Sequence, residues 1–147
     1  MKIPLLVCAA LLLTPFARSQ DADSTELRIL GQWVTAGGES RVEIERRDSL
    51  TFHGKIVWLR DPLKNGKPVV DDKNPVDSLR NRPVLGLELL RGFSYAGDGV
   101  WSGGKIYDPK SGNDYSAKMT MINDTTLDLR GYVLIPLFGR TERWIRP

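Results

Sequence analysis

His53 is the first candidate for acid–base chemistry, because it is the single histidine of the chain and histidine titrates near neutral pH. Strand alternation puts it on the face opposite Phe52 and Ile56, so we expect its side chain to point outwards. No serine or cysteine nucleophile motif accompanies it, since residues 92–96 lack the second glycine of a nucleophile elbow. A catalytic base also needs a partner within reach, and the sequence shows none. We therefore expect no catalytic residue and no enzymatic activity.

A second candidate is a group of oxygen-bearing side chains: Asp71, Asp72, Asn74 and Asp77. Carboxylate and carbonyl oxygens are the ligands that Ca²⁺ prefers, but the spacing lacks the alternating acidic pattern and the later glutamate of an EF-hand. Helix capping and solvation explain these residues more simply. One cysteine and one histidine also exclude a Cys-based zinc site and a His-rich metal site. We expect neither a metal nor a cofactor.

A third group is apolar and aromatic, and it could form the wall of a ligand pocket. Tyrosine hydroxyls and Arg130 would supply the few polar groups that such pockets contain. Side chains of this kind could equally fill a small barrel completely, since eight strands enclose either packed side chains or one small ligand. The candidate ligand-binding residues are Phe52, Ile56, Trp58, Leu87, Leu89, Trp101, Tyr107, Tyr115, Met119, Met121 and Leu129.

The first nineteen residues have the pattern of a secretory signal peptide. A short positive start containing Lys2 precedes the apolar run 3–13, and small residues follow at positions 17 and 19. We expect cleavage after Ser19, which leaves residues 20–147 as one domain in a periplasmic or secreted protein. Cleavage removes Lys2, Arg18 and Cys8, so the formal charge falls from +3 to +1.

This near-neutral charge argues against electrostatic capture of nucleic acid or of an anionic membrane. The 41% hydrophobic and 27% charged composition over 147 residues is that of one ordinary globular domain. Beyond the first segment no apolar run approaches the ~20 residues of a membrane span. We therefore expect no integral membrane span.

The rest of the chain alternates with period two between turn signals, a pattern typical of β-strands. Short connections favour a closed, antiparallel, up-and-down barrel, because closure removes the exposed edges. We also expect one or two short helices, at 24–30 and within the proline-rich connection 61–83, where Asn74 and Pro75 suit a helix start. A long connection of this kind is often a lid. The eight predicted strands are 31–35, 41–46, 50–59, 85–91, 100–107, 115–121, 127–134 and 139–146.

The pairing of Gly31-Gln-Trp33 with Trp144-Ile-Arg146 resembles the signature of the lipocalin/calycin superfamily. The resemblance implies that Trp33 and Arg146 close the barrel, and a guanidinium over an indole contributes ~0.5–2 kcal/mol. Further segments resemble the secreted bacterial domain-of-unknown-function family twenty-one forty-seven, which is lipocalin-like. Many of its members carry a cysteine pair around the second and third strands, which this chain lacks. The segments are 50–62, 72–75, 82–87, 101–109, 112–115, 127–132 and 139–146.

The resemblance implies a fold and a compartment but no characterised activity. We expect a non-enzymatic protein that binds a small hydrophobic or amphipathic ligand in the barrel. The alternative is a cell-envelope interaction or structural module with a filled barrel, no small-molecule ligand and a protein partner. Neither reading includes a nucleic acid, and nothing in the sequence specifies the oligomeric state.

Overall fold

The computed structural model describes residues 24–147, so the expected signal peptide lies outside the described residues. The strands are β1 (Gly31–Val34), β2 (Ser40–Arg46), β3 (Phe52–Leu59), β4 (Leu63–Lys64), β5 (Lys67–Pro68), β6 (Glu88–Gly97), β7 (Val100–Asp108), β8 (Asn113–Asn123), β9 (Thr126–Tyr132) and β10 (Gly139–Ile145). Eight of them form the predicted closed antiparallel barrel, in the order β1-β10-β9-β8-β7-β6-β3-β2. The two short strands β4 and β5 form a separate hairpin inside the long connection.

Sequential hairpins place the connections alternately at the two ends of the barrel. We call one end the closed end; it carries the turns 47–51, 98–99 and 124–125 together with the entering segment 24–30. The other is the open end, which carries the loops 35–39, 60–87, 109–112 and 133–138.

The expected short helices are mostly 3₁₀ turns. Residues 24–26 are helical and continue into the 3₁₀ turn Leu27–Ile29. The helix expected after Asn74 is reduced to the 3₁₀ turn Asp77–Leu79. A further 3₁₀ turn, Ala36–Gly38, connects β1 to β2. No helix within residues 24–147 is long and apolar enough to span a bilayer.

Large buried side chains fill the core of the closed half of the barrel. Trp33, Trp101, Phe52, Phe93 and Met119 are all buried there, at or below 1% exposure. Phe52 and Trp101 meet edge to face with ring centroids 6.3 Å apart, a favourable aromatic geometry.

The contact between Trp33 and Arg146 is present at the closed end. The Arg146 guanidinium carbon lies 4.2 Å from the centroid of the Trp33 ring. The Trp33 indole donates to the carbonyl of Ile29 at 2.8 Å, and Arg146 donates to the carbonyl of Leu30 at 3.0 Å. These bonds fasten the entering segment across the barrel end.

Trp58 was expected inside the barrel and lies outside it, 39% exposed. A bulge causes this: Val42 pairs with Ile56 but Arg41 pairs with Trp58, so Val57 is an extra residue that shifts the alternation. The Arg41 guanidinium carbon stacks 5.1 Å from the Trp58 ring on the outer surface.

The long connection is held to the barrel by a buried carboxylate. Asp71, which we expected to be solvated, is fully buried and accepts hydrogen bonds from Tyr107 Oη at 2.6 Å and Asn74 Nδ2 at 2.8 Å. Arg82 donates to the same carboxylate at 2.9 Å. The backbones also pair at the bridge between Val70 and Pro83. The connection is therefore an ordered cover over the end of β7.

Burial by itself raises the pKa of Asp71, but the hydrogen bonds from Tyr107, Asn74 and Arg82 outweigh it, so the net pKa lies below its usual value. Burial and the bond to Asp71 together raise the pKa of Tyr107 to about 12. The pair is thus a carboxylate and a neutral phenol throughout the physiological range.

Candidate functional site

A cavity of about 520 Å³ occupies the open end of the barrel. Its volume falls within the ~300–1,000 Å³ of small-molecule pockets. Loops and strand ends form its rim, and inward side chains form its wall. The residues that line it are Thr35, Ala36, Glu39, Ser40, Ile56, Leu89, Ile106, Tyr107, Asp108, Pro109, Lys110, Tyr115, Leu129, Gly131, Tyr132, Val133, Phe138, Gly139, Arg140, Glu142 and Trp144.

The cavity borders the seam where the barrel closes. β1 and β10 are joined at the pair Val34–Ile145. Beyond this pair, from Trp144 back to Gly139, β10 is paired with β9 in the described part of the chain. Because β1 ends at Val34, the 3₁₀ turn Ala36–Gly38, rather than a strand, lies near β10. The segment around this turn and strand β10 both contribute residues that line the cavity.

Strand alternation puts Trp144, Glu142 and Arg140 on one face of β10. Trp144 is buried in the core, so this face is the inner one, and all three residues line the cavity. Register places Glu142 opposite Leu129 and Arg140 opposite Gly131. Two oppositely charged side chains therefore stand one above the other on the inner face, with an indole below them.

Neither charged side chain is neutralised within residues 24–147. Arg140 and Glu142 make no side-chain hydrogen bond or ion pair there, whereas Lys110 and Glu39, also on the rim, form an ion pair. The hydrogen bond from Lys110 holds the pKa of Glu39 below its usual value. The cavity thus has one ion pair, between Glu39 and Lys110, and two charged side chains, Arg140 and Glu142, that are available to a bound molecule.

Gly131 provides much of the space beside Arg140. A Cβ built on it would lie 3.6 Å from Ile106 Cγ2 and 3.7 Å from the Tyr115 Cβ, which is ordinary van der Waals contact. The backbone therefore accepts a side chain at this position, and that side chain would project into the cavity beside Ile106 and Tyr115.

The predicted ligand-binding residues separate into groups. Ile56, Leu89, Tyr107, Tyr115 and Leu129 line the cavity. The buried residues Phe52, Leu87 and Met119 belong to the packed core. Trp101 and Met121 border a smaller cavity of about 380 Å³ at the closed end. Trp58 is outside the barrel, as described above.

The polar group of the pocket was assigned to the wrong arginine. Arg130 lies between the inward residues Leu129 and Gly131, and it donates to Thr141 Oγ1 at 2.8 Å on the outer face. Arg140 and Glu142 were not identified from the sequence. Counting back from Trp144 in steps of two would have found both of them.

Two buried indole nitrogens, Trp101 Nε1 and Trp144 Nε1, have no hydrogen-bond acceptor within the described residues. Each of these side chains borders a cavity. Trp101 borders the smaller cavity and Trp144 the larger one.

His53 has partners that the sequence did not reveal. Its Nδ1 lies 3.2 Å from Glu88 Oε1 and its Nε2 lies 3.3 Å from Thr51 Oγ1. The Thr51 hydroxyl itself donates to Asp48 Oδ2. Burial raises the pKa of Glu88, but hydrogen bonds from Arg47 and His53 bring it below its usual value. Both ring nitrogens are engaged in a surface network remote from the cavity.

Carboxylates and the histidine do not converge elsewhere in the part of the chain that the structure describes. No group of three or more His, Cys, Asp or Glu side chains there could hold a metal ion. The acidic cluster of the long connection is divided, because Asp71 is buried against Tyr107 while Asp72 and Asp77 are exposed.

The chain belongs to the family of uncharacterized proteins conserved in bacteria known as DUF2147, whose model matches residues 31–146. Among solved structures it is similar to protein HP1028 from Helicobacter pylori, described as belonging to the lipocalin family. That similarity has a TM-score of 0.72 and 23% identity, and it covers 81% of this chain and 82% of the other. No curated protein matches the sequence. The fold is therefore lipocalin-like, a class suited in general to holding a ligand inside a barrel.

Proposed function

We propose that this protein is a non-enzymatic, extracytoplasmic binding protein that holds a small amphipathic molecule in the open-end cavity. The observation that carries the proposal is the combination of an apolar wall with two unpaired charges on its inner face. The apolar part of the ligand would lie against Ile56, Leu89 and Leu129. Its polar head would lie beside Arg140 and Glu142.

The arginine favours an anionic head group. A guanidinium presents several donors in a fixed plane and matches carboxylate, sulfonate or phosphate oxygens. Arg140 is nearer the mouth than Glu142, because Glu142 is level with Leu129 in the wall. An anion would therefore bind to Arg140 near the mouth of the cavity. Glu142, which lies deeper in the cavity, would accept a hydrogen bond from a hydroxyl or amine group of the ligand.

Displacement of a fluorescent probe tests this assignment. Anilinonaphthalene sulfonate combines an apolar ring system with an anion, and decanoate and decanol share one chain but differ in charge. We expect decanoate to displace the probe better than decanol. In Arg140→Gln the affinity for decanoate falls about three- to fivefold, as for loss of a solvent-exposed ion pair, and the affinity for decanol does not change.

The matched control is Arg143→Gln on the same strand. Arg143 points outwards and bonds Asp128 at 2.7 Å, so its loss leaves the cavity intact. Gly131→Leu fills the cavity and should abolish binding of both decanoate and decanol. Unchanged affinity in Gly131→Leu, with a native circular dichroism spectrum, would show that the probe binds elsewhere.

The extracytoplasmic location rests on the composition of residues 1–19. Amino-terminal sequencing of the protein purified from its own host tests it. A mature chain that starts within a few residues of Gln20 is expected, and an intact Met1 in protein recovered from the cytoplasm would contradict the proposal.

A further inference from the structure

We propose that the loop between β9 and β10 docks on the surface of an anionic lipid bilayer. This apolar tip comprises residues 133–138, Val-Leu-Ile-Pro-Leu-Phe. Leu134 is 88% exposed, Leu137 76% and Phe138 64%. Large apolar side chains scattered singly on a surface are ordinary, but a continuous exposed run marks a contact site.

Most backbone hydrogen-bonding groups of the apolar tip have partners among the described residues; the N–H groups of Leu134 and Leu137 and the carbonyl of Leu134 do not. Groups that enter a bilayer must find hydrogen-bond partners within the protein. In the tip, every carbonyl except that of Leu134 has a donor among the described residues. Arg130 supplies two of these bonds, to the carbonyls of Pro136 at 2.6 Å and Leu137 at 3.4 Å. Pro136 has no N–H group to satisfy.

The base of the hairpin has the composition of a membrane interface. Residues 130–141 contain Arg130, Arg140 and Tyr132 but no carboxylate. Tyrosine is enriched at the level of the lipid head groups, and arginine is attracted to anionic lipids. The two arginines favour an anionic bilayer as the partner, and Glu142, the next carboxylate along the chain, lines the cavity.

The tip is also held in a shape that its sequence does not prefer. Leu134 has φ of 66°, in the left-handed region where leucine is strained. Tertiary contacts, including the clamp from Arg130, therefore maintain the conformation that presents Leu134 and Leu137 to the outside. Strain of this kind concentrates at functional loops.

The tip adjoins the cavity, because Val133 and Phe138 line its mouth. Docking would bring the mouth to the bilayer surface, where amphipathic molecules reside. The docking itself does not require the cavity to be occupied, so the two proposals can fail separately.

Flotation with vesicles of phosphatidylethanolamine and phosphatidylglycerol tests the inference. The test variant is Leu134→Asp/Leu137→Asp. Aspartate tolerates the left-handed region better than leucine, so the change does not add backbone strain at position 134. We expect the partition coefficient to fall about tenfold or more, because two apolar side chains no longer leave water.

The matched control is Leu50→Asp/Ile122→Asp, which alters two exposed apolar residues at the closed end. This variant should float like the wild type. A Leu137→Trp variant should show blue-shifted fluorescence on vesicles, as its ring enters the bilayer. Wild-type protein that stays unbound, or equal losses in the test and control variants, would overturn the inference.

Sedimentation without lipid distinguishes the other possible occupant, a second copy of the chain. A monomer in both wild type and test variant agrees with bilayer docking. A wild-type dimer that the tip substitutions dissociate would instead assign the apolar tip to self-association and overturn the proposal.

Discussion

Replacement of Asp71 by Asn should release the long connection from the barrel. The amide has the shape of the carboxylate, and its oxygen can still accept the Tyr107 hydroxyl at the Oδ1 position. Its NH₂ group then takes the Oδ2 position, where Asn74 Nδ2 and Arg82 both donate in the wild type. The new NH₂ group therefore faces two other donors, Asn74 Nδ2 and the Arg82 guanidinium, at a buried position.

The magnitude follows from the lost bonds. Hydrogen bonds to a charged group contribute ~1.5–3 kcal/mol each. The Arg82 side chain is 39% exposed, so water weakens the contribution of its ion pair with Asp71 to stability. We expect the free energy of unfolding to fall by about 2–3 kcal/mol in Asp71→Asn, and Tm to fall by roughly 10 °C for a domain of this size.

The effect should depend on pH with a definite sign. The pKa of Asp71 in the folded state lies below its ordinary value of 3.8, so the charged network stabilises the fold fully above that value. As pH falls from 3.8 towards the lower folded pKa, this contribution is lost. The difference between wild type and Asp71→Asn is therefore largest at neutral pH and shrinks in acid.

Urea unfolding followed by circular dichroism measures the loss, and limited proteolysis shows whether residues 60–87 become susceptible. Asp72→Asn is the control. Because the Asp72 carboxylate is exposed, its replacement should hardly change the free energy of unfolding. Equal stability of Asp71→Asn and Asp72→Asn at pH 7 would refute the reasoning. So would a stability difference that does not change between pH 7 and pH 3.

Two further substitutions test the packing of the barrel. Trp33→Ala removes the ring beneath Arg146 and the bond to Ile29, and it should cost roughly 3–5 kcal/mol in urea unfolding; a Tm within a degree or two of wild type would disprove the closure. Gly104→Ala puts a methyl group into the buried Phe93 ring and should cost ~1–3 kcal/mol, with partial recovery in Gly104→Ala/Phe93→Leu; additive losses in the double variant would exclude that clash.

Much of the barrel could be predicted because its signals are local. Alternation along 127–132 and the turns at 98–99 and 124–125 depend on neighbouring residues, and they identify strands and hairpins without any tertiary information. The predicted strand 127–134 was too long, since β9 ends at Tyr132 and the apolar residues continue into an exposed loop. Hydrophobicity alone does not distinguish a buried strand end from an exposed tip.

The errors at the site come from shifts in alternation and from long-range bonds. One bulged residue, Val57, was enough to move Trp58 from the inside to the outside. The burial of Asp71 depends on Tyr107, which is 36 positions away in the chain. Neither could be read from spacing, because the partner that decides each position lies on another strand.

The sequence by itself determined a β-rich chain, its hairpins, and the two residues that meet at the closed end. The strands and hairpins follow from residue type and near-neighbour periodicity, and the pairing of Trp33 with Arg146 follows from the resemblance to the lipocalin/calycin signature. Only the tertiary structure decided that large side chains fill the core of the closed half, while the open half holds the larger cavity with Arg140 and Glu142 in its wall. The physical reason is that empty volume depends on the strand register and on small residues such as Gly131 standing opposite one another, which are properties of paired strands and not of any single one.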